Sequence, residues 1–168
     1  MVSKKMTELQ PWECLMKRIV WKQLGDIRDK KILDFGSGIG VTANYLAEHN
    51  DVTAIEPDAD SIKERWADNQ YTQITGSTDE LRRFADESFD MIICHNVLEY
   101  AKDRENIILV ITKTLGMRTF WDMQQNQEIH KDTDWQDKMV EIEMRVSDMD
   151  GYKEIAFFHH LIIEKRWC

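Results

Sequence analysis

A chain of 168 residues with a formal net charge of −9 and 42% hydrophobic residues suits one core, and a single domain over 1–168 is expected. No run nears the ~18 apolar residues of a membrane span, residues 1–9 lack a signal-peptide stretch, and the acidity opposes nucleic-acid binding, leaving only a local basic patch open. Cys14, Cys94 and Cys168 are odd in number and unpatterned, which predicts reduced thiols, a cytoplasmic setting and, without zinc-ligand spacing, no metal site.

The first predicted element is a helix over 8–24. Trp12, Met16, Ile19, Val20 and Gln23/Leu24 recur near one face, Pro11 suits the first turn and Gly25 the stop. A short apolar run, Ile32–Phe35, follows within a strand over 31–35, as a buried parallel strand would read. It carries an acid, Asp34, and enters a turn with Gly36, Gly38 and Gly40 before a helix over 41–49. A strand, a glycine turn and a helix form a seat for nucleotide-like ligands.

The turn reads in two registers. Counted from Gly36, the dinucleotide fingerprint needs a small residue where Val41 stands; counted from Gly38, it fits as Gly38, Gly40, Ala43. Glu56, 20 residues after Gly36, ends a second apolar stretch (Val52–Ile55) and can accept hydrogen bonds from the ribose of either NAD or S-adenosylmethionine. Asp34 separates the two ligands. A carboxylate two residues before the first glycine repels a pyrophosphate but attracts the ammonium and sulfonium of S-adenosylmethionine. The alternative role for Asp34 is to hydrogen-bond the turn backbone, as turn aspartates do.

After Pro57 and Asp58 comes a helix over 59–68, with Ile62 and Trp66 on one face, and then a strand over Tyr71–Thr75. Ser77-x-x-Glu80 has capping-box spacing for a short helix. A fourth strand over Asp90–Cys94 ends at His95-Asn96. Ligands of open α/β sheets bind beyond the carboxyl ends of the strands, so Asp34, Glu56, Ser77 and His95/Asn96 should share one edge.

Beyond Tyr100 the pattern thins. Ile107–Ile111 is a β-branched run that suits a fifth strand or an apolar helix end. Thr114–Asp122 reads as a strand, and Arg118–Glu128, which mixes aromatics with amides, suits either an acceptor site for a small planar molecule or a solvent-facing loop. Trp135, Met139, Ile142, Val146 and Met149 recur at helical spacing, predicting an amphipathic helix over 134–149 stopped by Gly151. Ile155–Ile163 reads as a buried strand on which His159 and His160 face opposite ways.

The segment Leu33, Asp34, Gly36, Gly38, Gly40 resembles motif I of the class I S-adenosylmethionine-dependent methyltransferases, and Ala54–Asp58 and Phe89–Tyr100 are similar to that family's next motif and its fourth-strand motif. The resemblance implies a Rossmann-like, mostly parallel sheet with helices on both faces and a C-terminal antiparallel hairpin with a helix inserted between its strands. Residues 31–100 would be the cofactor-binding half, 101–168 the acceptor half and 8–24 a leading helix, with Trp12 over the site. It implies S-adenosyl-L-methionine as cofactor: Asp34 on the ammonium, the backbone of Gly36, Ser37, Gly38 and Gly40 in close approach, Glu56 and Pro57 at the ribose, Ser77 and Thr78 at the adenine, and His95 and Asn96 at the methionine pocket. The reaction implied is in-line methyl transfer to a small-molecule acceptor, with His95, Tyr100 and His159 as candidate bases where one is needed. The family's elements between the fourth strand and the final hairpin need roughly 40–60 residues, and here the 14 residues 101–114 stand in that place, so the acceptor half is abbreviated. An NAD(P)-binding oxidoreductase and a non-catalytic cofactor-binding module remain the rival readings.

Overall fold

The computed structural model describes residues 6, 8–95, 97 and 110–164, so Asn96, Tyr100 and Cys168 lie outside it. The chain divides into two compact units, Asp26–Asn106 and Met1–Gly25 with Ile107–Cys168.

The first unit is built on β1 (Lys31–Phe35), β2 (Asp51–Glu56), β3 (Thr72–Thr75) and β4 (Met91–Ile93). All pair in parallel, in the order β3-β2-β1-β4. Ile32, Leu33, Val52, Ala54 and Ile55 are buried, which is why these strands read as apolar runs rather than alternating ones. Asp34 sits in the middle of this sheet, opposite Ala54 on one side and Ile93 on the other. The chain steps outward from β1 through β2 to β3, then returns to the far side of β1 for β4. That reversal is a topological switch point, and crevices of α/β sheets open there beyond the strand ends.

Both helices of this unit are shorter than expected. α2 (Val41–Leu46) stops because the Asn50 amide donates to the Leu46 carbonyl at 2.8 Å and to that of Ile27 at 3.0 Å. α3 (Ala59–Lys63) starts on Asp58, whose carboxylate accepts the Asp60 and Ser61 N–H groups. It does not reach residue 68 because the Trp66 N–H is drawn to the Ile39 carbonyl, 2.8 Å away in the glycine turn. A 3₁₀ segment, Thr78–Arg83, follows β3; Ser77 precedes it, but its side chain makes no capping bond, so the capping-box expectation fails there.

The second unit contains α1 (Pro11–Leu24), β5 (Val110–Met117), α4 (Thr133–Val146) and β6 (Phe158–Glu164). β5 and β6 pair antiparallel, with Leu115 opposite His160 and Met117 opposite Phe158, and α4 is inserted between them as expected. Of the run 107–111, residues 107–109 lie outside the described residues, while Val110 and Ile111 open β5 beside β6 instead of joining the parallel sheet. Leu15, Met16, Ile19 and Val20 of α1 pack with Met117, Trp121, Met139 and Val140. Trp12 lies off that face and is 40% exposed.

The period expected for α4 holds, but its buried face is turned. Gln136, Met139, Val140 and Glu143 are buried, whereas Ile142 and Met149 are exposed. Glu143 is drawn inward by three backbone N–H groups: Thr119 and Phe120 at 2.8 Å and Trp121 at 3.3 Å. The helix ends at Val146 because the Ser147 carbonyl accepts the Gly116 N–H of β5 at 2.7 Å. The strand expected to reach Asp122 ends at Met117, since Arg118 takes a left-handed φ of 61° and the next three N–H groups go to Glu143. β6 likewise starts only at Phe158, after a 3₁₀ turn over Lys153–Ile155.

Candidate functional site

The sequence expectation places the site at the carboxyl ends of β1, β2, β3 and β4. Beyond β1 the chain folds back on β2: the Gly36 and Ser37 N–H groups donate to the Ile55 carbonyl at 2.8 and 3.1 Å. Gly36, Gly38 and Gly40 all have left-handed φ values, 76°, 55° and 71°. That conformation is cheap only for glycine. Two of the three carry a second constraint. A Cβ on Gly36 would run into Cγ2 of Val97, in the loop after β4, and one on Gly40 would run into the Tyr71 hydroxyl. At Gly38 a Cβ would meet nothing within 4 Å, so the middle of the turn is open to approach.

Glu56 ties this edge together. It is 8% exposed, and its two carboxylate oxygens accept the N–H of Gly38 at 2.8 Å and of Asp58 at 2.9 Å. Its own carbonyl accepts the Gly76 N–H at 3.0 Å. One residue thereby links the glycine turn, the Pro57–Asp58 turn and the loop after β3. Each carboxylate oxygen has a further lone pair, so these bonds do not exhaust Glu56 as an acceptor.

Asp34 is 3% exposed, one residue before the end of β1. Its charge reaches two neighbours. The Cys94 thiol is pushed up in pKa by burial and then by the Asp34 carboxylate. The Tyr71 hydroxyl is pushed up by burial, with Arg65 opposing and Asp34 adding to the rise. Ser37 is 9% exposed, and its hydroxyl has no hydrogen-bond partner among the described residues. Pro57, Ser77 and Thr78 are exposed, beside Glu56 and Gly76 respectively, and His95 is half-buried just beyond β4. His159 belongs to the other unit, where its Nε2 lies 2.8 Å from the Lys153 carbonyl oxygen.

Sequence reasoning missed a clasp on the glycine turn. The Tyr71 hydroxyl donates to the Trp66 carbonyl at 2.6 Å while lying against Gly40. Asn69 donates its backbone N–H to the Asn44 side chain and its amide to the Asn44 carbonyl, both at 2.9 Å. The loop 64–71 thus fixes the start of α2. The signal in the sequence was Asn44 inside an expected helix, a residue whose side chain competes for backbone hydrogen bonds. A concavity of about 500 Å³ lined by Lys30, Lys31, His49 and Asp51 opens at the opposite, amino-terminal edge of the strands, away from the glycines and acids.

A family model described as "Methyltransferase domain" matches residues 33–116, from within β1 through the glycine turn and β2 to β4 and into β5. No curated protein matches the chain. Solved structures similar to it include a TehB-like SAM-dependent methyltransferase from Corynebacterium glutamicum (24% identity, TM-score 0.40, 52% of this chain and 49% of that one). A putative methyltransferase from an antibiotic biosynthesis pathway of Anabaena variabilis matches at 23% identity and a TM-score of 0.41, over 50% of this chain and 35% of that one. The plantazolicin methyltransferase BamL, in complex with a triazolic desmethyl analogue and SAH, matches at 13% identity and a TM-score of 0.44, over 85% and 63%. The chain thus spans between about a third and two thirds of the length of these structures.

Proposed function

The chain belongs to the methyltransferase-domain family, whose model spans half of it, and from that premise we propose that it binds S-adenosyl-L-methionine at the glycine turn and transfers the methyl group to a small-molecule acceptor. The observation that carries this reading is the donor set of the turn. Two buried carboxylates, Asp34 and Glu56, flank three left-handed glycines, and residues 32–46 contain no lysine or arginine. A pyrophosphate is held by free backbone N–H groups and repelled by carboxylates; here the Gly38 N–H is already given to Glu56. An ammonium and a ribose suit acids and open backbone instead.

In this reading Asp34 holds the ammonium, Glu56 and Pro57 meet the ribose, and the backbone of Gly36, Ser37, Gly38 and Gly40 lines the approach, with Gly38 leaving it open. Ser77 and Thr78 stand at the adenine end, and His95 with Asn96 at the methionine end. The cofactor supplies an electrophilic methyl group, and the protein contributes orientation and proximity. An acceptor that is already nucleophilic needs no base; where one is needed, His95 at the end of β4 is the candidate on this edge. The odd number and unpatterned spacing of the three cysteines suit a reducing, cytoplasmic setting.

Calorimetric titration with S-adenosylmethionine tests the reading. Asp34→Asn should lose about 1–3 kcal/mol of binding free energy, the value of a hydrogen bond to a charged group. Unchanged affinity in that variant, or a melting temperature raised by NAD but not by S-adenosylmethionine, would overturn it. Release of S-adenosylhomocysteine with an acceptor panel separates an enzyme from a module that only binds.

A further inference from the structure

Arg118 stands out in the second unit. It occupies a left-handed backbone position, φ 61°, where glycine or asparagine would be at less cost. The turn that follows is held rigidly, because Glu143 takes the N–H groups of residues 119, 120 and 121. The arginine side chain is therefore aimed by a fixed backbone. Its guanidinium carbon lies 4.7 Å from the ring centre of Phe157, 5.7 Å from that of Trp12 and 5.8 Å from that of Phe158. Nε is buried without a hydrogen-bond partner among the described residues. One terminal nitrogen pairs with Asp122 at 2.6 Å, and that aspartate is half exposed.

Two of the surrounding rings remain in water: Phe157 is 65% exposed and Trp12 40%. Exposed rings around a caged guanidinium are what a flat ligand with one negative group would cover. We propose that Arg118, with the rings of Trp12 and Phe157, forms a binding site for the carboxylate of a small planar aromatic acid. The guanidinium fork accepts a carboxylate through two parallel hydrogen bonds, and Asp122 shows that the head already takes one. Asp122 is half exposed, and a pair open to water on its acidic side contributes little, so a ligand carboxylate displaces Asp122 at small cost. Glu143, which holds the turn that follows, is no competitor: it is buried and spent on three backbone donors. The proposal concerns a binding site within the second unit and stands apart from the reading above.

The test is titration of the full chain, without cofactor, with 2-naphthoate and with its uncharged counterpart 2-naphthylmethanol. Saturable naphthoate binding is expected, at least about tenfold tighter than the alcohol. Arg118→Gly should weaken naphthoate binding by about tenfold or more while keeping its melting temperature, since glycine suits the left-handed backbone. Phe157→Ala, at an exposed position, should weaken both probes and checks the site independently of the turn. No saturable naphthoate binding, equal affinity for the two probes, or full affinity in Arg118→Gly would overturn the proposal. Because no cofactor is present, failure of the methyl-transfer reading leaves this outcome unaffected.

Discussion

Two turns, one in each unit, end a strand and are held by a buried glutamate. Glu56 takes the N–H groups of Gly38 and Asp58; Glu143 takes those of Thr119, Phe120 and Trp121. The chemistry is the same: a carboxylate satisfies donors that the end of a strand leaves unpaired. The left-handed positions differ. The first turn fills all three with glycine and leaves Gly38 open to approach, whereas the second fills its one with Arg118 and surrounds the side chain with rings. One turn clears space for a ligand that meets backbone. The other positions a side chain.

Removing Glu143 gives the largest expected effect on this comparison. Glu143→Ala strands three backbone donors in a buried place and should cost about 3–5 kcal/mol, read from urea unfolding. A loss below about 1 kcal/mol would mean that the carboxylate does not hold the second turn.

Next come the glycines of the first turn. Gly36→Ala meets both the left-handed backbone and Val97, so it should cost about 2–4 kcal/mol. Gly38→Ala meets only the backbone term, about 1–2 kcal/mol, and should show its larger effect on S-adenosylmethionine affinity. Equal stability losses would erase the distinction between a packed glycine and an open one.

The smallest effect is on pH dependence in the second unit. Burial pushes the His160 imidazole below its ordinary value of 6.5, and its Nδ1 lies 2.7 Å from the Gln23 side-chain oxygen. Burial disfavours the charged ring in the folded chain, so the unfolded chain binds the proton more readily. Its contribution is complete above 6.5 and is lost as pH falls through the depressed folded value. Melting temperature should fall as the pH drops from about 7 to below the ordinary histidine value, and fall less in His160→Gln. An identical fall in both proteins would remove His160 from the account.

The parallel sheet and its glycine turn were legible because their signals are local. Ile32, Leu33 and Asp34 in one strand and Val52, Ala54 and Ile55 in the next are buried, and the glycine spacing lies within five residues of chain. The inserted helix of the second unit was legible in period but not in phase. Glu143 reads as part of a charged outer face, and only the distant N–H groups of residues 119–121 explain why it turns inward while Ile142 faces water. The ends of α2 and α3 were misjudged for a related reason. Asn50 and the Trp66 N–H take partners brought near by folding, and local propensity carries no record of them.

By itself the sequence determined the parallel strands, the glycine turn and the acids beside it, and with these the resemblance to the family. Hydrophobic burial and backbone strain act there over a few residues, so they leave a mark in composition and spacing. Only the tertiary structure decided that Glu56 joins three loops, that Tyr71 and Asn69 clasp the glycine turn, and that Arg118 stands caged among rings. Those roles depend on hydrogen bonds and ring contacts between residues far apart in the chain, and the sequence does not encode such distances locally.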